Sequence, residues 1–367
     1  MKGYKYMRVL IAGGGTAGHI NPGIAIAKYL QQQIPTSQVL FVGTERGLEK
    51  ELVPKEGFDI KLIDVSGFKR KLSLDTLKSI KGLFSGLHDA RKIVREFKPD
   101  LVIGTGGYVC GPVVLYAALR RIPTLIHEQN AFPGATNKIL SRFVDAVAVS
   151  FKESEKYFKS AKKICYTGNP LRSSFFTVNK EDARKQLGLD PKEQLLLIFG
   201  GSGGSDFLNN IICDMLKACT LKQRIVFATG HKKYEKVKKE LASTNLPNLE
   251  ILPYVYDMNN MMAVADLVVC RAGAITISEL EALGTPAILI PSRHVAANHQ
   301  EYNARALESN KAAVVITEEE ITSALLQEKI TGLLSNPEKL ANLSTNARRL
   351  AVKGASQKIF ELIKSIT

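Results

Sequence analysis

The chain begins a strand, a glycine turn and a helix twice. Residues 8–15, RVLIAGGG, and residues 195–204, LLLIFGGSGG, are both short apolar runs that end in glycines and lead into a helical pattern. A run with no polar face suits a strand covered on both sides, as in a parallel sheet whose crossovers are helices. Apolar runs at Val9–Ala12, Gln38–Val42, Asp59–Val65, Leu101–Ile103, Thr124–Ile126 and Ala146–Val149 alternate with helical stretches. A second series follows at Leu195–Phe199, Ile225–Ala228, Leu249–Leu252, Leu267–Cys270, Ala287–Ile290 and Ala312–Ile316. At 367 residues the chain exceeds what one core normally supports. The fold class expected is therefore α/β, with two doubly wound Rossmann-like domains. The polar stretch Thr167–Gln194 holds the joint, giving a first domain at 1–168 and a second at 169–351; the last helix, about 352–367, can pack on either.

Composition narrows the class. The five cysteines show no C-x-x-C spacing and mostly sit in apolar runs, the pattern of reduced thiols in a cytosolic protein. Up to Cys165 there are 26 Lys and Arg against 14 Asp and Glu; beyond it, 24 against 21. A basic first half points to an anionic partner. Nucleic acid is a poor candidate, because the few aromatics do not interleave with the basic residues. Leu101–Leu119 is uncharged over a bilayer-spanning length, but Gly104, Gly106, Gly107, Gly111 and Pro112 break it into strand, loop and helix.

Glycines between a strand and a helix let backbone N–H groups approach an anion at the helix start. Gly13, Gly15 and Gly18 fit G-x-G-x-x-G, with Glu45 where a dinucleotide fold would hold a ribose, so an NAD-dependent oxidoreductase is one reading. Against it, His19 and Asn21-Pro22 follow directly, and a nicotinamide enzyme has no evident use for a second glycine loop. That second loop, Gly200–Gly204, also fits the G-x-S-x-G of serine hydrolases, with Asp257 or Asp266 and His294 or His299 downstream. Four glycines in five residues make a cradle rather than a strained elbow, and Ser202 then serves better as a phosphate ligand. The run beginning His127-Glu128 has Ala131 where H-E-x-x-H needs its second histidine, and no Asp-x-Asp pair occurs to hold a metal on a diphosphate. No metal site and no cofactor is expected.

Seven segments, in order, carry a resemblance. GGGTAGHINPG, GTGGYVCGP, HEQNAFPG, GNPLR, FGGSGGS, RAGAITISEL and HQEYNARAL resemble the motifs of the MurG family, bacterial cell-wall N-acetylglucosaminyltransferases. The resemblance spans nearly the whole chain. It implies a GT-B fold, two Rossmann-like domains facing across a cleft, and transfer of GlcNAc from UDP-GlcNAc to the MurNAc 4-hydroxyl of lipid I, giving lipid II. It further implies that Thr16, Ala17 and Gly18 line the first loop beside the transferred sugar, that Asn130 holds its hydroxyls and that Tyr108 binds substrate. Arg172, Ser202 and the helix start Ala274-Ile275-Thr276 address the diphosphate, Val255 reads the uracil through its backbone, Glu279 takes the ribose and Gln300 contacts the GlcNAc. The chain departs from the family pattern at Ala17, where glycine is common, and at Gly203, where a larger residue is usual. Relatives of the same architecture, a UDP-GlcNAc 2-epimerase or a diacylglycerol glycosyltransferase, are the alternatives.

The chemistry requires a base for the acceptor hydroxyl, and histidine titrates near neutrality. His19 is the first choice, with His127 or Glu128 as the others. A lipid-linked acceptor also implies a peripheral protein at the cytoplasmic face of the membrane. If the stretch after Phe68 is helical, Leu77, Ile80 and Phe84 share a face flanked by Lys69, Arg70, Lys71, Lys78 and Lys81, suited to an anionic inner leaflet. Other cell-wall synthesis proteins are possible partners.

Overall fold

The structure, a computed structural model, describes residues 6–65, 74–201, 203–218, 221–244 and 246–367; for 74–84 it describes the backbone only. The chain divides into two compact units, Met1–Leu171 with Gly354–Thr367, and Arg172–Lys353.

The first unit is built on a parallel sheet of β1 (Arg8–Gly13), β2 (Gln38–Thr44), β3 (Asp59–Ile63), β4 (Leu101–Gly106), β5 (Thr124–Glu128), β6 (Ala146–Val149) and β7 (Ile164–Tyr166). Their order is β3-β2-β1-β4-β5-β6-β7. Alternation along β1 divides the core. Val9 and Ile11 face Ile20, Ile24 and Leu30 of the helix Ala17–Gln33, together with Ile359, Leu362 and Ile363 of the last helix, Ala355–Lys364. Leu10 and Ala12 face Ala90 and Val94 of the helix Leu74–Phe97 and Val113 and Val114 of the helix Cys110–Leu119. Helices therefore cover both faces, which is why the strands read as unbroken apolar runs. The C-terminal helix returns to the first unit because its apolar stripe completes that core.

The second unit repeats the plan with β8 (Leu195–Phe199), β9 (Arg224–Ala228), β10 (Leu249–Leu252), β11 (Leu267–Cys270), β12 (Ala287–Leu289) and β13 (Val314–Val315), all parallel, in the order β10-β9-β8-β11-β12-β13. In each sheet the order reverses beside the first strand, between β1 and β4 and between β8 and β11. Loops at the carboxyl ends of strands on either side of such a reversal diverge and leave a crevice, the usual ligand site of an open α/β sheet. Both glycine clusters lie at that end. The edge strand β7 was not foreseen: its three half-buried residues carry too short a pattern to read.

Candidate active site

In the first unit the crevice is formed by the turn after β1, the turn after β4 and the segment after β5. Gly15 turns the chain with a φ of +87°, and Thr16 begins the helix Ala17–Gln33. Ala17 lies inside that helix and is not among the positive-φ residues, so its methyl replaces glycine without backbone strain. Thr16 and Gly18 are exposed and His19 is half-buried. The turn after β4 presses against the first: a Cβ on Gly107, whose φ is +84°, would stand 2.4 Å from the Gly14 carbonyl oxygen. Tyr108, 57% exposed, stands at its tip.

The first turn rests on a residue that motif reading missed. Glu49 is fully buried and accepts hydrogen bonds from Gly15 N–H, Thr44 N–H and the Thr44 hydroxyl, each at 2.8 Å. Its space is made by Gly14, Gly43 and Gly47, where an added Cβ would come within 2.0–2.3 Å of the glutamate. Those scattered glycines were the only signal in the sequence. Glu45, the supposed ribose acid, instead forms an exposed ion pair with Lys50. A carboxylate directly beneath the loop, holding one of its amides, disfavours a phosphate there. The dinucleotide reading fails on that point.

The segment His127–Asn130 ends β5 and is buried throughout. Glu128 accepts from Asn130 N–H (3.0 Å), Asn130 Nδ2 (3.1 Å), Gly134 N–H (3.1 Å) and Asn137 Nδ2 (2.9 Å). Both oxygens are thus engaged in folding the turn. His127 is fully buried, and that burial pushes its pKa down to about 4. Gln129 lies between the two histidines, with Oε1 3.1 Å from His19 Nδ1 and Nε2 2.9 Å from His127 Nδ1.

In the second unit, the loop after β8 packs on the end of β9. Gly204, with a φ of +66°, could carry no side chain, since its Cβ would stand 2.1 Å from the Thr229 carbonyl oxygen. Gly203 has open space around it, so the larger residue usual there is dispensable. Ser202 lies outside the described residues. Ser205 caps the next helix, Asp206–Lys217, by accepting from Leu208 N–H at 3.3 Å, and receives Arg271 at 2.7 Å. Arg271 also donates to the Ile290 carbonyl at 3.1 Å and pairs with buried Glu318 at 2.6 Å. The helix Ala274–Leu283 follows β11 with Gly273 at its cap and no acidic residue in its first turn, which includes Ile275 and Thr276.

Glu279, in the second turn of that helix, has its pKa raised to about 7 by burial, with the Arg172 charge opposing. Arg172 thus lies within electrostatic reach of Glu279. Val255 is buried between Tyr254 and Tyr256; Tyr254 stacks on His231 at 5.7 Å, and Tyr256 meets both edge-on. Gln300 turns its Oε1 onto Ser292 N–H at 2.9 Å, bracing its own loop. The hydrolase decoy dissolves: Asp266 accepts from Leu195 N–H at the opposite end of the sheet from the glycine loop, and Asp257 hydrogen-bonds Asn260.

Of the basic stretch, Lys69, Arg70 and Lys71 lie outside the described residues, as do the side chains of Leu77, Lys78, Ile80, Lys81 and Phe84; the backbone from Leu74 on is helical. Among the described residues no helix is long and apolar enough to cross a membrane.

Two doubly wound parallel sheets, each with a glycine turn at its switch point, are the fold of GT-B glycosyltransferases and their relatives. Residues 9–149 match the model of the glycosyltransferase family 28 N-terminal domain, and residues 195–359 that of its C-terminal domain. The chain is 56% identical over 362 residues to the UDP-N-acetylglucosamine–N-acetylmuramyl-(pentapeptide) pyrophosphoryl-undecaprenol N-acetylglucosamine transferase of Acetivibrio thermocellus, covering 98% of each chain. It is 51% identical to the enzyme of that name from Caldanaerobacter subterraneus, covering 98% of this chain and all of that one. The crystal structure of Acinetobacter baumannii MurG superposes with a TM-score of 0.78 at 32% identity, covering 98% of this chain and 99% of that one. The chain belongs to the MurG family. A UDP-GlcNAc 2-epimerase from Neisseria meningitidis, at a TM-score of 0.67 and 17% identity over 98% of this chain and all of that one, shares the fold alone.

Proposed function

We propose that this protein transfers GlcNAc from UDP-GlcNAc to the MurNAc 4-hydroxyl of lipid I, forming lipid II, with inversion at the anomeric carbon. Membership of the family at 56% identity over 98% of the chain carries this reading. In one displacement the acceptor oxygen bonds to C1 of GlcNAc, the bond from C1 to the β-phosphate oxygen breaks, and UDP leaves with the electron pair. The acceptor proton passes to His19. Supporting His19 are its place in a half-exposed turn and the state of its rivals, Glu128 with both oxygens occupied and His127 buried at a pKa of about 4.

The donor belongs to the second unit. Glu279 takes the ribose hydroxyls, the backbone at Val255 reads the uracil, and Arg172, Ser202 and the helix start at Ala274–Thr276 balance the diphosphate without a metal. Dipole, amides and guanidinium act together there, and the ground beneath the loop carries Arg271 rather than a lone carboxylate. Thr16, Ala17, Gly18, Tyr108 and Asn130 serve the acceptor and the transferred sugar, and Gln300 holds the loop that meets it.

The acceptor is lipid-linked, so the first unit meets an anionic inner leaflet. Exposed Ile139 and Phe143, beside Lys138 and Arg142, supply apolar and basic contacts in addition to the stretch 69–84. Each basic residue near such a surface contributes about 1 kcal/mol. The deciding experiment follows UDP release from UDP-GlcNAc with and without a lipid I analogue. Release that requires the acceptor and yields a β-linked disaccharide is expected; UDP release without acceptor, accompanied by epimerised sugar, would contradict the reading.

A further inference from the structure

We propose that Gln129 is a positioning residue that fixes the tautomer of His19, keeping the ring proton on Nδ1 so that Nε2 is the proton acceptor. The inference rests on the assignment of His19 as base, but its structural part stands on hydrogen-bond direction alone.

The direction is set at a main-chain carbonyl. Thr105 C=O can only accept, and the Gln129 side-chain nitrogen lies 2.7 Å from it. That contact commits the Gln129 oxygen to the other side, where His19 Nδ1 stands 3.1 Å away. An amide oxygen has no proton to give, so a neutral imidazole facing it carries its hydrogen on Nδ1.

The rest of the network agrees. The same Gln129 nitrogen lies 3.1 Å from the His127 carbonyl oxygen and 2.9 Å from His127 Nδ1, which therefore accepts. His127 then carries its proton on Nε2, 3.1 Å from Ser150 Oγ and 3.3 Å from the Gly168 carbonyl. The Ser150 hydroxyl is free to receive it because its own hydrogen goes to Asn169 Oδ1 at 2.8 Å. Asn169 closes the circuit by donating to the Gln129 main-chain carbonyl at 3.3 Å. Reversing Gln129 would set its oxygen against two obligate acceptors, the Thr105 and His127 carbonyl oxygens. Gln129 is 2% exposed and His127 and Thr105 not at all, so water does not compensate a reversal.

His19 is held on its flank as well. A Cβ on Gly106, whose φ is +116°, would stand 2.4 Å from His19 Nδ1 and 3.0 Å from Cγ, so the ring lies flat against that glycine. The orientation of ring and proton thus comes from Gly106 at the end of β4 and from Gln129 directly after β5.

The test reads the proton directly. Nitrogen-15 shifts of the neutral His19 ring, assigned by their loss in His19→Ala, are expected to show hydrogen on Nδ1. In Gln129→Met, which can neither accept nor donate, the proton moves substantially to Nε2, and kcat falls by about tenfold or more while KM for UDP-GlcNAc stays within about twofold. The wild-type shifts test the proton placement by themselves, which covers the case in which the methionine variant does not fold. Hydrogen on Nε2 in the wild-type protein would overturn the proposal, as would a Gln129→Met protein unchanged in both tautomer and kcat. If instead His19→Ala turned over normally while the tautomer responded to Gln129, the base assignment would fall and the proton placement would stand.

Discussion

The two glycine turns arise from the same strand-turn-helix plan and rest on different buried groups. Beneath the first lies Glu49, taking the Gly15 amide for itself; beside the second lies Arg271, tied to Ser205 and Glu318. The first turn carries a titratable ring directly after its last glycine, and the second carries hydroxyls and amides. Backbone shape is therefore shared, and what differs is the buried group behind each loop, a lone carboxylate under one and an arginine–glutamate pair beside the other; the proposed division of roles rests on that difference.

Four changes sharpen or break that contrast. Arg271→Met should be the most costly, because Glu318 is left charged and unpaired; a loss of about 3–5 kcal/mol of stability is expected by denaturant unfolding. A loss below about 1 kcal/mol would mean that the pair does not support the second loop. Glu279→Ala should raise KM for UDP-GlcNAc by about 10- to 100-fold, the scale of hydrogen bonds to a charged group, and leave kcat within a few-fold. Because burial raises that carboxyl to about 7, wild-type donor affinity should weaken as pH falls from 8 to 6, when the protonated acid can no longer accept both ribose hydroxyls. Titration calorimetry with UDP on the wild type and Glu279→Gln would check this, since the glutamine variant should show no such slope.

Glu49→Ala strands the Gly15 and Thr44 amides. A cost of about 1–3 kcal/mol, seen as a melting temperature several degrees lower, is expected, with UDP affinity untouched because the proposed donor site lies in the other unit. The smallest effect belongs to Gly203→Ser, within about 0.5 kcal/mol, since open space surrounds that position. A large loss there would show that the second loop needs the freedom of glycine at that position.

Much of the fold was legible because parallel strands buried on both faces leave unbroken apolar runs. Ala146–Val149, Leu195–Phe199, Leu249–Leu252 and Leu267–Cys270 have the bounds their patterns gave. The strand Ile164–Tyr166 was hidden by its three-residue length and half-exposed edge position, and Ala312–Ile316 shrank to Val314–Val315 at the other sheet's edge. The site was legible where a motif is contiguous, as with His19 and His127–Asn130. It was illegible where the chemistry depends on side chains brought together from distant turns. Glu49 announces itself only through Gly14, Gly43 and Gly47, and nothing in the motif distinguishes Gln129, which orients a ring 110 residues away, from its neighbours.

The central claim is that chemistry resides with the first turn and donor binding with the second. It is tested most directly by steady-state kinetics of His19→Ala with UDP-GlcNAc and a lipid I analogue each varied. The account predicts that kcat falls by about 10²- to 10⁴-fold, the usual worth of a general base, with KM for UDP-GlcNAc within about twofold of wild type. A kcat within a few-fold of wild type, or a loss that appears mainly as a raised donor KM, would contradict it.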